Sequence, residues 1–123
     1  AVSVPVLDNI TPVSSDQVGS VDISNKLAAS GDFFAYTMTG DSMSPFIIPA
    51  DILICRRQVS VNNGDLAVIS VNGEIASVKR YQKERNLIML YSDNPNYKPF
   101  MFTTSDNVNL SIIGRVAEIR RTV

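Results

Sequence analysis

A mainly β fold, a compact barrel or sandwich with at most short helical turns, is what the sequence predicts, on three observations. Runs rich in aromatic and β-branched residues, such as Phe33-Phe34-Ala35-Tyr36-Thr37-Met38, are short and suit a pleated, half-buried surface. Turn signals separate them, among them Ser30-Gly31-Asp32 and Asn62-Asn63-Gly64-Asp65. Asn72-Gly73, set between two apolar runs, is the strongest short-range hairpin signal a sequence offers. Many short strands broken by turns belong to an all-β barrel or sandwich.

The elements follow in order. Val4-Pro5-Val6-Leu7 is extended, because proline biases its predecessor towards β or polyproline geometry. Thr11 to Ser20, rich in Ser, Asp, Pro and Gly, has the composition of a linker or surface loop. Ser24 is placed to N-cap a short helical turn over Asn25–Ala29. Phe33–Met38 is a strand, Gly40–Ala50 a loop with room for one helical turn, and Ile52–Arg56 the next strand. Leu66–Val71 and Glu74–Tyr81 form the hairpin, Leu87–Tyr91 is a strand, Asp93–Pro99 a loop, and Ile112–Arg120 a closing strand. No internal repeat or low-complexity tract is visible. The chain thus divides into a linker-like region, 1–30, and a folded domain, 31–123.

Composition bounds the function. A chain of 123 residues with 45% hydrophobic content supports one domain with one core. A net charge of −1 and a pI near 5.2 argue against nucleic-acid binding by this chain alone. The pairs Arg56-Arg57, Lys79-Arg80 and Arg120-Arg121 are scattered and read as solvated strand edges. Cys55 is the sole cysteine, so no internal disulfide can form and a reducing, cytoplasmic location is expected. It sits in Ile52-Leu53-Ile54-Cys55 and reads as a core thiol. No apolar run approaches the ~18 residues of a membrane span, and no signal peptide is visible. The start at Ala1 is expected of a fragment. No cofactor or metal site is indicated.

The chemistry centres on Gly40-Asp41-Ser42-Met43-Ser44-Pro45 and Val78-Lys79-Arg80. The chain has no histidine, so a serine nucleophile would need another base, and a lysine held neutral is the usual substitute. Taking Asn72-Gly73 as a two-residue turn places Leu66 opposite Lys79 and Val68 opposite Ser77. Alternation then puts Lys79 on the more apolar face with Leu66, Val68 and Ser70, and Arg80 outward. Burial there would lower the lysine pKa. The competing reading is a lysine that snorkels to water. Ser42, with Asp41 or Ser44, has its own competing reading as a cap on a helical turn begun by Pro45. The same turn would expose backbone N–H groups near Ser42 and Met43, suited to an oxyanion.

Taken together, Gly-Asp-Ser-Met followed by Pro, Pro49-Ala50-Asp51 leading into an apolar strand, and the Asn-Gly hairpin ending in Val78-Lys79-Arg80 resemble the LexA-like family of serine–lysine self-cleaving proteases. Leu87–Leu90, Asp93-Asn94-Pro95-Asn96-Tyr97 and Ile113-Gly114-Arg115-Val116 extend the likeness over about residues 33–121. The family includes the C-terminal domains of LexA, of lambda-type phage repressors and of UmuD, and the pattern looks most like repressors of Gram-positive temperate phages or mobile elements. Signal peptidase has similar Ser–Lys chemistry, but needs a membrane anchor and an apolar membrane-contacting surface not visible here.

The resemblance implies that Ser42 is the nucleophile and Lys79 the general base, with the Ser42 amide and nearby Met43 holding the oxyanion. It also implies a homodimer, or a higher oligomer on operator DNA, with DNA reached through an N-terminal helix-turn-helix domain absent from this chain. A RecA filament would promote self-cleavage in the SOS response. One departure concerns the bond to be cut. The family usually has Ala-Gly or Cys-Gly there, whereas the corresponding place is near Thr11-Pro12-Val13-Ser14. Pro12 restricts the backbone and β-branched Val13 crowds it. A domain that cleaves poorly or not at all, and answers to a protein such as an antirepressor, is therefore expected. An active self-cleaving repressor using a non-standard site is the alternative. A second departure is Ala50, where the family usually has Gly; alanine disfavours positive φ.

Overall fold

The computed structural model describes residues 1–123. The strands, in chain order, are β1 (Val2–Asp8), β2 (Asp16–Ile23), β3 (Phe33–Thr37), β4 (Ile52–Arg57), β5 (Leu66–Val71), β6 (Ser77–Glu84), β7 (Leu87–Tyr91), β8 (Phe100–Thr103) and β9 (Leu110–Arg120). A single short helix, α1 (Asn25–Ala28), follows β2. The mainly β expectation holds, and the strands form one open mixed sheet ordered β2-β1-β3-β4-β9-β5-β6-β7-β8. No helix is long and apolar enough to cross a membrane.

The cores follow from alternation along these strands. The largest gathers Phe34, Met38, Met43, Ile47, Leu53, Cys55, Val68, Val78 and Val116 with Leu7 and Ile10 from the first hairpin. A second, around Ala35, Ile54, Val6 and Ile23, is shared by β1 to β4. A third joins Ala67 and Ile69 to Ile88, Leu90 and Phe102. Cys55 is fully buried, and desolvation pushes its thiol up to about 12; it is a packing residue.

Two expectations need correction. Thr11–Ser20 is not wholly loop: β2 starts at Asp16 and pairs antiparallel with β1 from Asp8↔Asp16 to Val2↔Ile23. Much of the region 1–30 is thus built into the sheet as β1 and β2, because backbone pairing with β1 outweighs the weak strand propensity of Gly and Ser. Ser24 does cap α1, accepting from the Leu27 amide at 3.1 Å.

The second correction is the β5–β6 register. Leu66 pairs with Arg80, Ala67 with Lys79 and Val68 with Val78. Asn72 and Gly73 do take the positive φ of a tight turn, at 54° and 75°. After it, however, the chain leaves the ladder: the Ala76 amide donates to Ile10 O at 2.7 Å. Pairing resumes at Ile69↔Ser77, one residue out of the two-residue-turn count. A one-residue slip exchanges the faces of a whole strand. Ala76, expected outward, is buried, and Ile75, expected inward, is exposed.

Candidate active site

The Gly40–Ala50 loop carries one helical turn, as expected. The Ile47 amide donates to Met43 O at 3.0 Å and the Ser44 amide to Asp41 O at 3.1 Å. Met43 and Ile47 are fully buried, so their side chains pin the turn into the largest core while half-buried Ser42 sits at its head. The Ser42 and Met43 amides donate no hydrogen bond within the chain, unlike that of Ser44. Those are the two amides considered for an oxyanion. The side-chain caps considered at Asp41 and Ser42 do not form. The Asp41 carboxylate instead accepts from Tyr97 Oη at 2.6 Å, which raises the Tyr97 pKa.

Lys79 lies on the face opposite to the one expected, with Ala67 rather than Leu66 across from it. It is still half-buried, and desolvation lowers its pKa. The physical expectation survives the register error because the burying groups come from elsewhere. Nζ donates to Ser92 Oγ at 2.7 Å and lies 5.8 Å from the centre of the Tyr97 ring. It is not hydrogen bonded to Ser42.

What joins the two halves is the loop after β7. The Asn94 amide donates to Ser42 O at 3.1 Å, and Asn94 Nδ2 donates to Asp41 O at 2.9 Å. Tyr97 closes on Asp41. Arg80, expected to point outward, grips Asp93 through Nε and Nη2 at 2.8 and 3.0 Å and stacks over Phe46 at 5.2 Å. Thus Ser92, Asp93, Asn94 and Tyr97 tie the Ser42 turn to the Lys79 strand. Reading the motifs from the sequence missed their role. The β6–β7 register offered a signal: the tight Arg85-Asn86 turn with Glu84↔Leu87 paired runs back to Arg80↔Tyr91, and the next step sets Ser92 across from Lys79.

The Thr11–Ser14 segment forms the tip of the β1–β2 hairpin. The Thr11 amide donates to Ser14 O at 2.8 Å, and Thr11 Oγ1 lies 2.9 Å from Ser14 Oγ. Val13 is 93% exposed. A cavity of about 350 Å³ separates the tip from Arg57, Ile112 and Ile113. No hydrogen bond and no cavity joins Thr11, Pro12, Val13 or Ser14 to Ser42 or Lys79. No group of three or more carboxylate or cysteine side chains is placed to hold a metal ion.

The domain is thus mainly β, with Ser42 at the head of a core-pinned turn and a half-buried lysine on β6. The chain belongs to the Peptidase S24-like family, whose model matches residues 8–117. It is 35% identical over 111 residues to a LexA repressor of Citrifermentans bemidjiense, covering 89% of this chain and 54% of that protein. It is 38% identical over 94 residues to one of Desulforamulus reducens, covering 76% and 41%. A LexA repressor of Bacillus velezensis is 30% identical over 131 residues, covering 99% and 60%. The chain therefore spans about half the length of the curated relatives it matches.

Proposed function

We propose that this chain is the C-terminal dimerisation and regulatory domain of a transcriptional repressor, carrying a Ser42–Lys79 dyad that cleaves poorly at its own Thr11–Ser14 segment. The family and the LexA relatives support the repressor reading. Operator DNA would be reached through a further helix-turn-helix domain, and two copies would pair to match a two-fold operator. A phage or mobile-element origin, and induction by an antirepressor instead of a RecA filament, complete the reading.

In the reaction, Ser42 Oγ attacks a peptide carbonyl carbon as neutral Lys79 Nζ takes its proton. The Ser42 and Met43 amides are available to the oxyanion. The tetrahedral intermediate collapses to an ester on Ser42 Oγ as the C–N bond breaks and the lysine returns the proton to the leaving amine; a water, deprotonated by Lys79, then hydrolyses the ester to the new carboxylate and regenerates the serine. The observation that supports the weak-cleavage reading is Pro12 beside exposed Val13 at the hairpin tip, in the segment that by resemblance corresponds to the family's usual Ala-Gly or Cys-Gly pair. One observation favours the active alternative: Ile10, two residues before Pro12, is buried and its carbonyl accepts from Ala76 on the lysine-bearing hairpin.

Incubation at pH 9–10 raises the neutral fraction of Lys79 without an activator and tests both readings. Mass spectrometry is expected to show little cutting over a day. Efficient cutting between residues 8 and 20, abolished by Ser42→Ala and Lys79→Ala, establishes the active protease instead.

A further inference from the structure

We infer that Ser92 is a positioning residue for the lysine base, holding Lys79 Nζ within the serine turn's reach while leaving its lone pair available. The inference rests on the Ser42–Lys79 reading above and deepens it. Three observations converge on Ser92. Continuing the β6–β7 ladder past Arg80↔Tyr91 puts Ser92 directly across from Lys79, at the separation where side chains of paired strands touch. Its Oγ accepts from Nζ at 2.7 Å. Two residues on, Asn94 binds both Ser42 O and Asp41 O, so one short loop fixes the lysine and the serine turn together.

The surroundings of the lysine make Ser92 the specific holder. Across β5 its neighbour is Ala67, which offers no polar atom. Asp93 is engaged by Arg80, and Asp41 by Tyr97. Tyr97 presents its ring face to Nζ. Ser92 therefore supplies the hydrogen-bond acceptor for the amine. Accepting from an N–H constrains the amine without consuming the lone pair that must take the Ser42 proton. Ser92 itself neither gains nor loses a proton in that step. An acceptor also favours the charged form, so its removal is expected to lower the lysine pKa further, whereas loss of burial would raise it.

Two measurements on this chain test the inference: the ¹³Cε NMR titration of Lys79, and the pH profile of Ser42 labelling by a fluorophosphonate. The variants are Ser92→Ala, the matched pair Ser92→Thr and Ser92→Val, and Lys79→Ala. Thr and Val have the same shape and differ in the hydroxyl, so a packing effect moves both alike. The expected result is Lys79-dependent labelling in the parent chain. Ser92→Ala and Ser92→Val then lower the plateau rate about 10-fold, a part of the ~100-fold or more that a positioned base supplies. Their Lys79 midpoint moves down, and Ser92→Thr retains parent behaviour within about 3-fold. The inference is overturned if Ser92→Val labels as fast as Ser92→Thr, or if the Lys79 midpoint rises to about 10.4, that of a free lysine. Either result leaves the dyad standing. If the parent chain labels no faster than Lys79→Ala, the dyad reading fails and the inference falls with it.

Discussion

Ala50 adopts φ of 75°, a left-handed conformation that costs an L-residue with a Cβ roughly 1–2 kcal/mol. The conformation is imposed from both sides. The Ala50 amide donates to Met38 O, and the Met38 amide donates to Asp51 O, so the loop bearing Ser42 is closed at its base by this pair. Glycine would adopt the same geometry without the steric cost, offset by the entropy it gains when unfolded. Ala50→Gly is expected to stabilise the domain by about 0.5–1 kcal/mol, read as a higher urea midpoint at unchanged slope. An unchanged or lower midpoint would mean that the loop does not strain this residue. The sequence made Ala50 conspicuous only against a family pattern; the two hydrogen bonds explain the cost.

At the scale of elements, β9 is the strand on which both halves of the sheet depend, pairing with β4 on one side and β5 on the other. Its Gly114 lies where the β4 and β9 backbones and the Phe34 ring converge. A Cβ there would meet Arg56 O at 2.7 Å and Phe34 Cε1 at 3.0 Å. Phe34 is fully buried and has Arg57 over its ring at 4.8 Å, so neither neighbour can yield freely. Gly114→Ala is expected to destabilise the fold by about 1–3 kcal/mol, the usual range for overpacking, measured by thermal or urea unfolding. A loss under about 0.5 kcal/mol, normal for a tolerated surface change, would show that the crowding relaxes. The strand itself was legible from Ile112–Arg120; the need for glycine was not, because the crowding atoms come from β3 and β4. The Asn72-Gly73 turn was equally legible, yet its register was set by a contact to Ile10, more than 60 residues earlier.

For the whole molecule, the end of the chain is fastened back onto the serine loop. Arg121 grips Asp51 through Nε and Nη2 at 2.8 and 2.6 Å, and Nη2 also reaches Phe46 O at 3.2 Å. Asp51 is buried and accepts from the Ile48 amide as well. The Arg121 hydrogen bonds hold its pKa below the ordinary carboxylate value. A folded-state pKa below the unfolded one contributes stability that is present above the unfolded value, about 3.9 for Asp, and is lost as pH falls through the folded one. Unfolding free energies from pH 7 down to 2 should therefore drop below about pH 4, and Asp51→Asn should flatten that drop while lowering stability at neutral pH. A variant with the parent's full acid slope would show that the pair is not coupled to folding. Lys79 shares the direction of that pH dependence but contributes a cost instead of a gain: its lowered pKa makes burial costly while it is protonated, and that cost falls as pH rises towards the unfolded lysine's pKa.

The sequence by itself determined the β class, most strand positions, the buried thiol and the two motifs bearing Ser42 and Lys79. These depend on local propensity, alternation and turn chemistry, all carried by neighbouring residues. Tertiary structure decided the face on which Lys79 lies, the recruitment of β1 and β2 into the sheet, and the loop of Ser92, Asn94 and Tyr97 that joins serine turn to lysine strand. The first and last of these rest on hydrogen bonds between segments far apart in the chain, and the second on a hairpin that joins the sheet where β1 docks on β3. A register or a long-range pairing is settled by the sum of such contacts, which no short window of sequence contains.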